Sequence, residues 1–332
     1  MTGESSNAET APMRRWNLLV LAVAAVVLFF LLRGIDWDTL LSCFWRGARY
    51  WPLLLVPYAF SCLFWTLSWK SLLAGVPGAP GLRRLFLLRL AGESLNQLTP
   101  AASLGGEPFK ALRLHALGVS WPSATASLVI HKALMAASLV LYIVLALALV
   151  PSVLPGLPPA VVWFSYLGTS TLATGAAAFL LLQRHNPCSL FVRLLTRWGA
   201  CPAFLKVRLP ECAAVDAALA EFHRSHTGAG LRALAWYLAG WLCHAGEVCV
   251  IFWLMGHPVD LDLALCLDAL AQLVAALGFM VPVSLGVQDG GNILLSLGFK
   301  LGSTLGAGFS ILRRFREGCW LLLGLLAAAG EK

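Results

Sequence analysis

Charge is scarce in this chain. Only 12% of its 332 residues are Asp, Glu, Lys or Arg, whereas 59% are hydrophobic. Soluble domains carry about 25% charged residues, so the chain lacks the water-facing surface of one. Catalytic signatures are missing too. There is no P-loop, no G-x-S-x-G elbow and no H-E-x-x-H helix, which leaves nucleotide hydrolysis, triad chemistry and zinc proteolysis without a marker. Nine cysteines occur without a single C-x-x-C pair, so no zinc or redox centre is signalled. Cys62, Cys243, Cys249, Cys266 and Cys319 fall in apolar stretches and read as small hydrophobes. No metal, cofactor or catalytic residue is expected. The formal net charge is +8, but the basic residues are scattered over connecting segments. That pattern fits membrane topology and argues against a nucleic-acid partner.

What the chain has is length in its apolar runs. Residues 17–32, 51–74, 121–150, 160–183, 231–255 and 303–329 are each rich enough in apolar side chains to approach or exceed a bilayer crossing, for which about 20 residues suffice. The expected fold is therefore all-α, a polytopic integral membrane helical bundle. Residues 1–16 are expected to be a disordered cytoplasmic N-terminus, and 17–32 an uncleaved first span. The divisions that follow are a first membrane repeat over 17–183, a basic cytoplasmic loop over 184–230 and a second membrane repeat over 231–332. The loop holds Arg184, Arg193, Arg197, Lys206, Arg208 and Arg224, and 189–198 within it has the pattern of an amphipathic surface helix.

Two stretches interrupt the hydrophobic pattern. The first, 93–117, places Asn96, Gln97, Thr99, Pro100, Gly105, Gly106, Glu107 and Pro108 within a dozen or so residues. Two prolines and two glycines break a helix there, and freed backbone at membrane depth must face protein or a wet cavity. The second, 281–299, repeats the order: Pro282, then Ser284-Leu285-Gly286, then Gln288 and Asp289. About two dozen residues after each comes a charged cluster within an apolar helix, His131-Lys132 and Arg313-Arg314-Phe315-Arg316-Glu317. Repeated interrupted helices are a signature of secondary transporters, with the site at the repeat interface. The basic-residue bias gives the two repeats opposite orientations, each with a broken, re-entrant helix pair; full crossing by both broken elements is the competing arrangement.

Ionisable groups inside a membrane usually face a cavity or a partner. Arg313 and Glu317, four apart, share a helix face and are expected to pair. Arg314 then needs another acid, with Glu107, Asp289 and Glu247 as candidates. Lys110, Lys132, Arg313, Arg314 and Arg316 are read as holding an anionic headgroup, with Glu107 and Asp289 balancing them. Glu93 and Asn96 either line the same cavity or cap the broken helix ends. His244 and Glu247, three apart, read as a buried hydrogen bond. An ion-pair network that only fixes helix register is the alternative throughout.

The stretch Glu93-Ser94-Leu95-Asn96-Gln97-Leu98-Thr99-Pro100 through Gly105-Gly106-Glu107-Pro108-Phe109-Lys110 resembles the first motif of the lysylphosphatidylglycerol-synthase transmembrane family, also called flippase-like membrane proteins. Gly286-Val287-Gln288-Asp289-Gly290-Gly291, with Arg313-Arg314-Phe315-Arg316-Glu317, looks like its second, and the hopanoid-biosynthesis-associated branch is similar in both. Asp289 stands where the family pattern leads us to expect glutamate. The resemblance implies lipid translocation between leaflets, of an anionic or amphipathic lipid such as a phospholipid or hopanoid, in a bacterial inner membrane. It equally allows a non-catalytic accessory that supports lipid-modifying enzymes. Members with a following soluble domain transfer aminoacyl groups; a chain ending at Lys332 is expected to lack that activity.

Overall fold

Backbone groups at membrane depth find partners only within helices or closed barrels, and this chain takes the helical solution. The computed structural model describes residues 35–98, 105–154, 159–183, 185–198, 209–225, 227–277 and 286–330, with no strand among them. In order these are α1 (Trp37–Gly47), a 3-10 helix (Ala48–Leu54), α2 (Leu55–Leu72), α3 (Leu82–Leu98), α4 (Gly106–Ala116), α5 (Trp121–Val153) and α6 (Pro159–Leu182). Then come α7 (Pro187–Arg197), α8 (Leu209–Ser225), α9 (Thr227–Leu254), α10 (Leu261–Leu277), α11 (Val287–Gly298) and α12 (Ser303–Gly330). The expected first span, Pro100 and the 278–285 stretch containing Pro282 lie outside the described residues.

Four helical runs among the described residues are long and apolar enough to cross a membrane: Trp37–Leu72, Trp121–Val153, Val162–Leu182 and Gly228–Leu254. The first begins earlier than the expected 51–74, because the 3-10 turn around Pro52 continues α1 into α2 instead of ending it. Helix α12 matches these runs in length but carries four charges at mid-length. The short arms α4 and α11, of 11 and 12 residues, span only about 16–18 Å at 1.5 Å per residue. That is roughly half the hydrocarbon thickness.

The packing of the two halves is reciprocal. Helix α2 lies along α9, α3 lies on α12, and α10 lies on α5; each short arm packs against the long helix that follows it. The α2–α9 contact is close because Gly240 has no side chain: a Cβ there would fall on the Trp65 indole. Ser61 Oγ donates to the Gly240 carbonyl at 2.9 Å, and Trp65 Nε1 to the Tyr237 carbonyl at 3.3 Å. The main core, with Trp65, Tyr142, Tyr237, Trp241, Phe252 and Phe309, gathers around this contact. Apolar side chains on α6, including Trp163, Phe164 and Leu167, stay exposed, as suits a lipid-facing surface.

The 184–230 segment, expected as a basic loop, contains two helices. Helix α8 docks on α5 and α9 through Val215 and Leu219, packed with Ile130 and Ala233. Helix α7 buries Val192 and exposes Phe191 and Trp198, in keeping with the amphipathic pattern of 189–198. Asp216 of α8 joins the two: its carboxylate oxygens accept the Cys188 and Ser189 N–H groups, both at 2.9 Å. First-turn N–H groups have no acceptor within their own helix, and a carboxylate there also meets the positive end of the dipole. Asp216→Ala is expected to loosen α7 by about 1–2 kcal/mol. The check is faster trypsin cleavage after Arg193 and Arg197, with the thermal transition of the whole protein little changed.

Candidate functional site

The first interrupted element gathers its charges because α3 and α4 meet at glycine. A Cβ on Gly106 would fall on the Gly92 carbonyl oxygen, and one on Gly92 would fall on the Lys110 side chain. At this separation Asn96 of α3 caps α4. Its Oδ1 accepts the Gly106 N–H at 2.7 Å, while its Nδ2 donates to Glu107 Oε1 at 3.1 Å and Glu93 Oε2 at 3.3 Å. Gly105 stands at the N-cap, and Glu107 lies in the first turn of α4, where the dipole favours an anion. Lys110, fully buried, donates to Glu93 Oε1 at 2.6 Å and Glu107 Oε1 at 2.9 Å. Lys132 of α5 approaches Glu107 Oε1 at 3.0 Å and Glu93 Oε1 at 3.9 Å. Of the two, Asn96 takes the capping role, and Glu93 pairs with Lys110.

The second element repeats the plan with different chemistry. Gly286 is the N-cap of α11 at φ +82°, a conformation that glycine adopts without strain. Asp289 Oδ2 accepts its N–H at 3.2 Å. Arg314 grips Asp289 with two parallel bonds, Nε to Oδ1 and Nη2 to Oδ2, both 3.1 Å, and its Nη1 donates to Glu317 at 3.0 Å. Ser310 donates to Asp289 Oδ1 at 3.0 Å and accepts from Asn292 at 3.0 Å. Gln288 is half-buried in the same first turn. Asp289, one methylene shorter than the glutamate expected there, reaches Arg314 in a two-bond contact.

A third cluster is built by α9, α10 and α12. The expected Arg313–Glu317 pair is not formed; Glu317 is held by Arg314 instead. Arg313 is turned into the protein and pairs with Asp268 of α10. Asp268, fully buried, also accepts from the Tyr142 hydroxyl at 3.0 Å, with His244 Nδ1 at 3.1 Å. Arg316 donates to Glu247 at 2.8 Å and stacks over the Tyr58 ring at 4.1 Å. On a helix, 313, 314 and 316 point in different directions, so three arginines close in sequence serve separate acids on three other helices. The His244–Glu247 hydrogen bond expected from their spacing is also absent, their nearest side-chain atoms being 3.9 Å apart. His244 turns to Asp268.

Every cation singled out in the sequence, Lys110, Lys132, Arg313, Arg314 and Arg316, already lies within ion-pair distance of a carboxylate. Among the described residues, the buried lysine or arginine that does not is Arg89 of α3. It is 3% exposed, its guanidinium lies over the Trp65 ring at 5.2 Å and beside the Cys62 thiol, and its Nε has no hydrogen-bond partner. Glu93, one turn away on the same face, is occupied by Lys110 and Asn96. Sequence reasoning missed both Arg89 and Asp268. The signal was present: each charge is flanked by several apolar residues on both sides within its helix, a placement that marks a functional candidate by itself.

The geometry gives three ion clusters in the interior of a helical bundle, two of them at the starts of short helix arms. The sequence pattern described as the lysylphosphatidylglycerol synthase TM region matches residues 17–324. Neither a curated protein nor a solved structure matches the chain. With four membrane-crossing helical runs among the described residues and a match that covers nearly its whole length, the chain is a multi-pass membrane protein belonging to the lysylphosphatidylglycerol synthase transmembrane family.

Proposed function

We propose that the protein moves an amphipathic lipid with an anionic headgroup between the leaflets of a bacterial inner membrane, without covalent chemistry. The observation that carries this reading is Arg89. Around the first tip, three cations (Arg89, Lys110, Lys132) face two carboxylates (Glu93, Glu107), leaving one positive charge in excess. A buried guanidinium without a carboxylate costs several kcal/mol, and a phosphate from a passing headgroup supplies the missing partner. The reciprocal packing of the two halves supports an inverted-repeat arrangement in which the tips open alternately. The acyl tails then remain in the bilayer while the headgroup crosses. A phospholipid is the first substrate to test, and a hopanoid with a charged headgroup is the second.

The test is lipid movement in reconstituted vesicles, with fluorescent phosphatidylglycerol quenched from outside. Wild-type protein is expected to give quenching beyond the outer-leaflet share. Glu107→Gln combined with Asp289→Asn is expected to slow it by about tenfold or more, about 1.4 kcal/mol in the barrier, because Lys110, Lys132 and Arg314 each lose a carboxylate partner. Full activity in the folded double variant would sink the reading. A second role, docking of lipid-modifying enzymes, draws on the exposed Phe191 and Trp198 of α7. Replacing both by serine abolishes function in cells under that role and spares vesicle transport under the first.

A further inference from the structure

His244 lies among the charges that α9, α10 and α12 bring together. It is 4% exposed on α9, with its ring packed by Tyr58 and Trp65 of α2 and by Trp241. Two groups converge on its Nδ1: Asp268 Oδ1 of α10 at 3.1 Å and Arg313 Nη2 of α12 at 3.0 Å. Guanidinium only donates and an ionised carboxylate only accepts. One nitrogen cannot satisfy both. On the other side, Nε2 lies 3.9 Å from Glu247 Oε2, a buried oxygen with no hydrogen-bond partner, while Glu247 Oε1 is held by Arg316. The remaining polar neighbours are Gln272, 3.4 Å from both His244 Nδ1 and Asp268 Oδ1, and Tyr142 of α5 behind Asp268.

We infer that His244 is a proton-binding site that couples lipid movement to a proton gradient, the convergence of a donor and an acceptor on one ring nitrogen making its packing depend on the proton. This rests on the transport reading above. With Nδ1 bare, the ring accepts from Arg313 and ties α9 to α12, and the Nε2 proton faces Glu247. With both nitrogens protonated, Nδ1 donates to Asp268 and ties α9 to α10, Nε2–H faces the unpartnered Glu247 oxygen, and the imidazolium repels Arg313. Helix α10 is the long arm of the second broken pair, and α12 is the helix that packs on the first. Proton gain and loss therefore shift the attachment of α9 between α12, which touches both broken pairs, and α10, the long arm of the second. The proton enters from water on one side and leaves to water on the other; no bond other than N–H is made or broken.

The experiment uses the full chain in vesicles containing labelled phosphatidylglycerol, with the membrane potential clamped and the pH equal or stepped by about one unit. One unit is about 1.4 kcal/mol for one proton per lipid, up to about tenfold between leaflets. Wild type is expected to equilibrate the label at equal pH and to accumulate it in one leaflet under the gradient. His244→Gln, which keeps polar hydrogen bonding without the imidazole ring, is expected to lose the accumulation. An entrapped pH dye reads the coupled proton in wild type without any variant, and lipid-dependent pH change is expected. Movement by wild type that ignores the gradient, with no dye response, overturns the coupling and leaves transport standing. Accumulation retained by His244→Gln overturns the assignment to His244. No movement by wild type in either condition removes the transport reading, and the coupling falls with it.

Discussion

Asp268→Asn is expected to be among the most damaging single substitutions in the chain, at about 3–5 kcal/mol. The side-chain volume barely changes, so packing is not the cause. Asp268 is fully buried and is the carboxylate for Arg313, which is itself 2% exposed. Asparagine keeps an acceptor for the Tyr142 hydroxyl but leaves the guanidinium with the Phe309 ring, 5.2 Å away, and His244. An uncompensated buried charge outweighs what those contacts return. The measurement is the thermal transition of detergent-purified protein, with the yield of monodisperse material. Arg313→Gln placed on top of Asp268→Asn is expected to recover part of the loss, with a coupling of about 1–3 kcal/mol in the double-mutant cycle. A cost under about 1 kcal/mol for Asp268→Asn would mean that water reaches Arg313 and that the pair behaves as an exposed one.

Gly106→Ala is expected to damage the first site as severely as removing one of its charges. Adding one methyl group to a helix interior normally stabilises by up to about 1 kcal/mol. At Gly106 the new Cβ meets the Gly92 carbonyl oxygen and comes within 3.0 Å of Asn96 Oδ1. Backbone cannot step aside as a flexible side chain does, so α3 and α4 must separate. That movement breaks the Asn96 cap and lengthens the Lys110 contacts to Glu93. We expect a loss of about 3 kcal/mol, at the upper end of overpacking costs, and loss of lipid movement in vesicles. Gly175→Ala is the control. It adds the same methyl group to α6, where nothing lies within 4 Å, and is expected to leave stability equal or slightly raised. Equal behaviour of the two variants would show that the glycine crossing is not what assembles the site.

The sequence alone determined the class and the outline of the site. Long apolar runs require helices in lipid, so the helical bundle followed from composition. The interruptions around Gly105–Gly106 and Gly286 were visible because proline and glycine act locally on the backbone. That Glu107 and Asp289 stand in the first turns of α4 and α11 follows from sequence separation alone, since each comes just after its break. Partner choice among the charges was different. Residues 313, 314 and 316 differ by only one to three positions, and about 100° of helix rotation per residue sends them to Asp268, Asp289 and Glu247. Which acid waits at each bearing depends on α9, α10 and α11, tens of residues away. The same holds for Arg89: its charge was readable, but that Glu93 would be taken by Lys110 rather than paired with it was not. Glu93 sits one turn away in the sequence, and only the crossing of α4 over α3 brings Lys110 in to occupy it. Local backbone chemistry was therefore legible in one dimension, while the assignment of each charge to a partner was decided by helix–helix geometry.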